Sequence, residues 1–575
     1  MPWLSSVPLH PFLWASLVVS ACSSPPPKQT VTSRPEPTAP KVEPADLVLV
    51  DGHLHTQDPD LQEAEALAVR GSRIVMVGDR AQVDPFIGRD TKVVQLEGRS
   101  VSPGLSDAHC HLYNLGAARE SVDLRGSKSP AAAAKKVARA AAGQSQDTWI
   151  VGRGWDQNLW DGQRFPSAAD LDAVIASHPV AVSRIDGHAL WVNAAGMRLA
   201  GIDDATADPA GGKIVRDQKG RATGIFIDTA MALVRDKIPP AADAVIERRI
   251  LAAAELALAA GITTVHEMGI PDRVVDVYRE LARQDRLPLR VYAFLSGDVP
   301  TAMKLAEREP DNDGNGEAMF IMRGIKLYAD GALGSRGAAL LAPYADDPGN
   351  QGLWVTSAED LSQAAVAVAK AGWQLAVHAI GDAGNRATLD AFAAAIAAHP
   401  HADLRFRVEH AQILAPEDIP RFSEMDVIAS MQPTHATSDM PWAEARLGPE
   451  RIKGAYAWRS LLDSGARIAG GSDFPVEGVS PLLGIYAAVT RQDHEGKPKG
   501  GFTPDQQMEL GEALDSFTRE PAYASFVESQ RGMLREGQVA DITVFDRKLA
   551  ADRSLLSTRI DMTIVGGRIQ FQRER

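Results

Sequence analysis

The feature that most constrains the fold is a pattern that occurs three times between residues 250 and 473. In each copy an apolar, mostly alanine-rich helix ends at a glycine, a short apolar strand follows, and a polar residue closes the strand. The first copy comprises a helix at 250–260, Gly261, a strand at 262–265 and His266; the other copies end at His378 and Asp473. Strands that alternate with helices predict a parallel sheet.

Five further apolar runs bring the number of predicted strands to eight, which indicates an α/β fold of the (β/α)8 barrel type. These runs are the segment before His109 and the segments 289–295, 324–328, 405–408 and 427–431. Active sites of such barrels lie at the C-terminal strand ends. The residues at these ends are, in order, His109 and His111, His266 and Glu267, Ser296, Lys326, His378, His410, Gln432 and Asp473. Five of the 14 histidines fall there, which favours a functional cluster.

The residue types at the strand ends predict a metal site. His109 and His111 are two apart, so on a strand they point to the same side, while Cys110 points away and is expected to be a packed residue. Imidazoles and carboxylates are natural ligands for Zn²⁺ or another divalent first-row ion. The set suits one or two ions. Lys326 cannot bind a cation as an ammonium, so either a salt bridge or carbamylation by CO₂ to a bridging carboxylate is expected.

Composition limits the classes of partner. The chain of 575 residues carries a formal net charge of −14, which argues against a nucleic-acid partner but says little about a small-molecule substrate. Its hydrophobic fraction of 45% is enough for a large core.

The N-terminus is predicted to be an export signal with a lipid anchor. Residues 1–21 contain a short apolar run that is typical of a signal peptide, although no Lys or Arg precedes it. Cys22 follows a sequence that resembles the bacterial lipoprotein cleavage box and is the expected lipidation site. Residues 22–45 are proline-rich and predict an extended linker. The expected location is the bacterial cell envelope, with the outer membrane favoured.

Short strands at both chain ends, in 46–101 and 526–575, are expected to pair into one small β-sandwich. The barrel then occupies 102–525, with an insertion at about 113–245 that is far longer than an ordinary barrel loop. A second His-x-His, His53 and His55, falls in the sandwich and is expected to lie in an exposed turn.

Five motifs together resemble the family-3 branch of the amidohydrolase superfamily, which includes N-substituted formamide deformylases. They are SPGLSDAHCHL at 102–112, GIKLYADGALGSRGA at 324–338, VHAIGDAGN at 377–385, VEHAQ at 408–412 and GGSDFPVE at 470–477. The resemblance covers the chain from about residue 46 to its end. It implies a metal-dependent (β/α)8 barrel with a β-sandwich built from both chain ends.

The resemblance also implies roles for individual residues. His109 and His111, with Asp473, are expected to bind a first metal, and His378 and His410 a second. It favours carbamylation of Lys326 to bridge the two ions. His266 matches no ligand motif and is expected to support a ligand from behind.

The expected reaction is hydrolysis of an amide or N-substituted formamide by a metal-activated hydroxide, with Asp473 as general acid and base. Two alternatives stay open: hydrolysis of an ester or lactone at the same site, and a surface lipoprotein that binds ligands without catalysis. Substrate contacts are expected from a set of polar and aromatic residues around the strand ends: Trp155, Arg184, His188, Ser335, Arg336 and His435. For Trp155 and Arg184 a purely structural role is the alternative.

Overall fold

The structure, a computed structural model, describes residues 15–20, 42–305 and 307–574. Residues 15–20 are irregular and exposed. Cys22, the predicted lipidation site, and most of the predicted linker lie outside the described residues. Within the described residues, no helix is both long and apolar enough to cross a membrane.

The strands of the described residues form four sheets. In chain order they are β1 Leu47–Val50, β2 His53–Asp58, β3 Leu61–Ala64, β4 Ala66–Arg70, β5 Arg73–Gly78, β6 Lys92–Gln95, β7 Ser100–Pro103, β8 Leu105–Cys110, β9 Val122–Asp123, β10 Ile150–Trp155, β11 Val180–Arg184, β12 Ala189–Val192, β13 Gly212–Arg216, β14 Ala222–Asp228, β15 Ile262–Ile270, β16 Arg290–Ser296, β17 Phe320–Tyr328, β18 Gln374–Ala379, β19 Arg407–His410, β20 Ile428–Met431, β21 Ile468–Gly470, β22 Ile542–Phe545, β23 Ile560–Val565 and β24 Arg568–Gln572.

The α-helices of the same residues connect or cover these sheets. They are α1 Arg80–Val83, α2 Leu112–Glu120, α3 Pro130–Ala140, α4 Ala168–Asp172, α5 Ala194–Ala200, α6 Ala232–Arg235, α7 Asp243–Ala259, α8 Asp272–Arg283, α9 Val299–Leu305, α10 Ala358–Lys370, α11 Asp382–Ala398, α12 Ile419–Glu424, α13 Pro433–Asp439, α14 Ala443–Arg451, α15 Trp458–Asp463, α16 Pro481–Thr490, α17 Leu510–Ser516 and α18 Arg519–Ala524.

Eight parallel strands form the barrel, in the order β8, β15, β16, β17, β18, β19, β20, β21, which confirms the predicted fold class. Three glycines end the helices of the repeated pattern as predicted: Gly261, Gly372 and Gly465 have φ of 86°, 75° and 86°. Glycine adopts this left-handed conformation without a steric penalty, so the chain can turn sharply from helix into strand. The predicted end of β15 was wrong, because this strand continues past His266 and Glu267 to Ile270.

Strands from both chain ends share one sheet of the sandwich. Strand β7 pairs with β22 through Ser102 and Thr543, and its other edge pairs with β2. The second sheet contains β5, β4, β1 and β6. Leu49 and Val101 from the N-terminal part share a buried cluster with Val544 from the C-terminal part. The apolar core of the sandwich therefore needs both chain ends.

The expectation for His53 and His55 was wrong. Both residues lie on strand β2 rather than in a turn. Burial alternates along this strand, so Leu54 and Thr56 face the core and the histidines face outward. His55 Nε2 lies 3.0 Å from Ser100 Oγ.

The long insertion is a folded unit rather than a loop. Strands β9 to β14 form a six-stranded sheet of their own. One face of this sheet packs on a separate buried cluster that contains Trp155, Trp160 and Trp191. The insertion can therefore present side chains to the barrel from a rigid support.

A buried ion pair joins the barrel to the sandwich. Arg290, the first residue of β16, donates from Nε to Asp541 Oδ2 at 2.8 Å and from Nη2 to Oδ1 at 3.2 Å. The side chains of Arg290 and Asp541 are 4% and 7% exposed. Removing one partner of such a pair leaves the other charge buried and uncompensated.

We expect Asp541→Asn to lower the free energy of unfolding by about 3–5 kcal/mol, because Arg290 would keep its charge without a carboxylate. Urea or thermal unfolding measures this change. The control is Asp84→Asn, which removes the exposed partner of Arg80 and should cost about 1 kcal/mol or less. Equal effects of the two substitutions would contradict the importance of burial.

Candidate active site

Six side chains from the barrel meet at the C-terminal ends of its strands. They are His109 and His111 from the end of β8, Lys326 from β17, His378 from β18, His410 from β19 and Asp473 from the loop after β21. The ring centroid of His410 lies 4.8 Å from that of His109 and 4.6 Å from that of His378. His111 Nε2 lies 3.1 Å from Asp473 Oδ1.

Three of these residues form a candidate site for one divalent ion. Ligand atoms of His109, His410 and Asp473 all lie within 4.8 Å of one another, and all three residues are buried. This grouping combines residues that the sequence analysis divided between two metals. His111 is adjacent but its Nδ1 lies 2.8 Å from Met268 O, and His378 directs Nε2 toward Gly331 O at 3.3 Å.

The protonation states of these residues suit a cation. Burial lowers the pKa of His109 to about 4 and the pKa of His410 and of His378 well below the usual value. Burial alone would raise the pKa of Asp473, but the neighbouring His111 and His109 hold it below its usual range. Neutral imidazoles with free lone pairs beside a carboxylate are a suitable ligand set for Zn²⁺ or a similar ion.

The backbone is strained where it delivers two of these residues. On a regular strand Glu409 and His410 would point to opposite sides. Instead, both lie beside His109, because φ at His410 is 74° and the alternation breaks there. Asp473 also has a positive φ, of 58°. Non-glycine residues adopt this conformation rarely and at an energetic cost, and such residues concentrate at functional sites.

A carboxylate that the sequence analysis did not single out connects the first barrel strand, β8, to the loop after the last strand, β21. Asp107 accepts hydrogen bonds from Ser472 Oγ at 2.5 Å and from the backbone N of Ser472 at 3.1 Å. The backbone N of Asp473 also donates to His109 O at 2.7 Å. These bonds position Asp473 opposite His109. Burial raises the pKa of Asp107 to about 7.

Lys326 lies in the barrel interior and is 1% exposed. Burial lowers its pKa to about 8. Nζ lies 4.8 Å from the ring centroid of Tyr328, and no carboxylate of the described residues lies within ion-pair distance of it. The salt bridge that the sequence analysis kept as one alternative is therefore not formed.

A cavity of about 360 Å³ opens onto His378, His410 and Asp473. The insertion supplies one wall with Arg184 and His188, and the loops after β20 and β21 supply another. Arg184 is bound by Asp156 and Asp186, so its charge is already neutralised inside the protein. Arg184, His188 and His435 all line this cavity, and their contact with a substrate stays a prediction.

Three of the expected substrate contacts were wrong, since none of their side chains lines the cavity. Trp155 is fully buried in the insertion, where Nε1 donates to Val182 O at 2.8 Å and the ring packs on Trp160 and Trp191. Ser335 Oγ donates to Ala332 O at 3.2 Å. Arg336 turns outward to an ion pair with Asp346.

Several polar groups near the cavity were missed by the sequence analysis. Asp228, at the end of β14, accepts from His188 Nδ1 at 2.6 Å and has φ of 50°. Asp330 accepts from the backbone N of Ile380 at 3.0 Å and of Gly381 at 2.8 Å, which fixes the loop after His378. Asp330 follows β17 by two residues, so its place after a barrel strand was a usable signal. Asp382, in the motif at 377–385, accepts a hydrogen bond from the backbone N of Leu341 and orients the loop that contains Leu341.

The barrel, the histidine and aspartate cluster and the cavity above it define a (β/α)8-barrel protein with a candidate divalent-metal centre. The profile of the amidohydrolase family (Amidohydro_3) matches residues 92–571. The chain therefore belongs to the amidohydrolase family, as the motifs indicated.

Individual relatives agree with this assignment. The protein LONG AFTER FAR-RED 3 of Arabidopsis thaliana is 35% identical over 542 residues, which cover 91% of each chain. The N-substituted formamide deformylase of Arthrobacter pascens is 28% identical and is covered to 98%, with 92% of this chain. An uncharacterized metal-dependent hydrolase of Pyrococcus horikoshii has a similar structure, with a TM-score of 0.70, 27% identity, and 91% and 99% of the two chains covered.

Replacement of Trp155 by alanine should destabilise the insertion by about 3–5 kcal/mol, because a large buried ring is lost from its core. Thermal unfolding measures the effect. The control is Leu159→Ala, since Leu159 lines the cavity but is 55% exposed and should cost little stability. If Trp155→Ala were as stable as the control, the structural role of Trp155 in the core of the insertion would be contradicted.

The cavity residue Asp439 should make stability depend on pH. Burial raises its pKa from 3.8 to about 7, and Glu477 adds to the shift. Between these values the folded protein keeps a proton that the unfolded chain releases, so stability falls as the pH rises from about 4 to 7. The Tm of the wild type minus the Tm of Asp439→Asn should therefore be smaller at pH 8 than at pH 5. The exposed substitution Asp403→Asn is the control, and a pH-independent difference would contradict the assignment.

Proposed function

We propose that the protein hydrolyses a C–N bond of a small amide or N-substituted formamide, with Asp473 as the group that moves the proton. The observation that carries this proposal is the cluster of His109, His410 and Asp473, with two of the three lining one cavity. The Arthrobacter pascens relative is named for N-substituted formamides, which supports this substrate class. A cavity of about 360 Å³ suits a small molecule.

The residues present fit a divalent ion, for which we propose Zn²⁺, and His109, His410 and Asp473 would hold it. Such an ion supplies Lewis acidity, which polarises a carbonyl oxygen and lowers the pKa of a water molecule. His111 and His378 are close enough to complete the site or to hold a second ion, as the ring distances of 5.6 Å to His109 and 4.6 Å to His410 indicate.

Asp473 is suited to accept and return one proton. Its pKa is held low by neighbouring histidines, so it is a carboxylate when water attacks the carbonyl carbon. The water proton moves to Asp473 as the C–O bond forms. The same proton then moves to the leaving nitrogen as the C–N bond breaks, which gives a carboxylic acid (formic acid from a formamide) and an amine. His435 Nε2, 3.7 Å from Asp473 Oδ2, lies where it can contact the substrate beside this carboxylate.

Lys326 is proposed to be carbamylated. An uncharged amine attacks CO₂, forming an N–C bond and releasing a proton, and burial lowers the pKa of Lys326 to about 8, which makes the uncharged form accessible. The product is a carboxylate near His109 and His410, where it could bridge two ions. Lys326→Ala should lose the second equivalent of bound metal, measured by elemental analysis, and a short carboxylate such as acetate should restore part of it. Full metal content in Lys326→Ala without additive would contradict this role.

The N-terminal part of the chain supports a separate proposal about location. The apolar run that ends at Cys22 and the proline-rich segment after it suit a lipoprotein of the bacterial envelope, with the outer membrane favoured. Cys22→Ala should abolish incorporation of labelled fatty acid and release the protein from the membrane fraction. A labelled Cys22→Ala protein would contradict the proposal.

Asp473→Ala should lower kcat/KM for an N-substituted formamide by about a thousand-fold or more, because a proton path and a metal ligand are lost together. Amine release measures the rate, and elemental analysis measures the metal. Asp403→Ala is the matched control, since it removes an exposed carboxylate on the outer surface. Near-normal hydrolysis by Asp473→Ala at normal metal content would contradict the mechanism. A screen that also contains simple esters and lactones tests whether the C–N bond is preferred.

A further inference from the structure

We propose that Glu409, Arg407 and His266 form a positioning network that holds His109 in the tautomer needed to bind a divalent ion. The proposal rests on the metal site of the proposed function. It gives His266 the supporting role that was expected from the sequence, and it adds Glu409 and Arg407, to which no role was assigned from the motifs or the cavity. Each of the three side chains is buried.

The two ring nitrogens of His109 face different carboxylates. Nδ1 lies 2.5 Å from Glu409 Oε2. A carboxylate can only accept a hydrogen bond, so Nδ1 carries the hydrogen and Nε2 keeps its lone pair. Nε2 is the nitrogen that faces Asp473, 3.7 Å from Oδ1. The contact with Glu409 therefore leaves the metal-facing nitrogen free to act as a ligand.

The carboxylate of Glu409 is held in place by Arg407. Arg407 lies two residues earlier on β19, on the same side of the strand. Its Nε donates to Glu409 Oε1 at 2.8 Å and its Nη2 to Oε2 at 3.1 Å. This two-point contact fixes the carboxylate plane and balances its charge inside the barrel.

The guanidinium group of Arg407 is held in turn by residues of neighbouring strands. Nη1 donates to His266 Nδ1 at 2.8 Å, so His266 accepts at that nitrogen. Nη2 also donates to Ala108 O at 2.6 Å and to Ser430 Oγ at 2.8 Å. Arg407 is thus hydrogen-bonded to residues of β8, β15 and β20. Through Glu409, these three barrel strands fix the orientation of the His109 ring.

If the ion pair of Arg407 and Glu409 served stability alone, its burial would be explained, but the contact of Glu409 with His109 Nδ1 would not. A matched structural pair exists at the other end of the barrel, where Arg290 and Asp541 form a two-point contact that touches no metal-site residue. Comparison of the two pairs separates loss of stability from loss of metal affinity.

The test measures Zn²⁺ affinity of the full chain by competition with a chelator, starting from metal-free protein. In Glu409→Gln the amide either keeps a weaker acceptor toward Nδ1 or turns its NH₂ toward it and forces the hydrogen onto Nε2. We expect the Zn²⁺ dissociation constant to rise about 10- to 100-fold. Asp541→Asn is the control for stability. It should lower the Tm of the metal-free protein but change the Zn²⁺ dissociation constant less than threefold.

Arg407→Lys keeps the charge balance while losing the two-point contact, and is the second variant in case Glu409→Gln does not fold. It should weaken Zn²⁺ binding in the same direction. If the folded variants Glu409→Gln and Arg407→Lys bound Zn²⁺ with a dissociation constant within threefold of wild type, the network would be overturned, but the proposed metal site would not. A wild-type protein that binds no Zn²⁺ would overturn the proposed metal site and the network with it.

Discussion

The hydrogen bonds between the first barrel strand and the loop after the eighth determine where the reactive groups lie. Asp107 holds Ser472, and the backbone of Asp473 bonds to His109 O, so two segments that are more than 360 residues apart become neighbours. Together with the hydrogen bond from His111 N to Phe474 O, this contact fixes Asp473 relative to the histidines. The other strands add their residues to a geometry that this junction establishes.

Burial, rather than net charge, then sets the chemistry of the cluster. The removal of water lowers the pKa of His109, His378 and His410, so that they are neutral ligands, and it lowers the pKa of Lys326 as well. Asp473 and Glu409 escape the opposite effect because each lies beside cationic or hydrogen-bonding partners. The candidate metal cluster thus combines neutral imidazoles with the ionised carboxylates of Asp473 and Glu409.

The fold and the residues at the strand ends could be predicted from the sequence because they depend on periodic patterns. A helix, a glycine and a strand recur, and His378 and Asp473 follow the strands at the expected place. The roles of Trp155 and Arg336 could not be predicted, because whether a side chain turns into a cavity depends on packing between segments distant in the chain. Glu409 was hidden for a related reason: a strand pattern cannot show that the positive φ at His410 puts both residues on one side.

The sheet that joins β7 to β22 has a consequence for how the chain acquires its structure. Val101 pairs with Val544, so the sheet cannot be complete until more than nine tenths of the chain has left the ribosome. Loop closure over such a distance makes folding slow compared with a chain of local contacts. Until then the edge of β7 that pairs with β22 has no partner strand, and the core of the sandwich lacks the residues that its C-terminal strands supply.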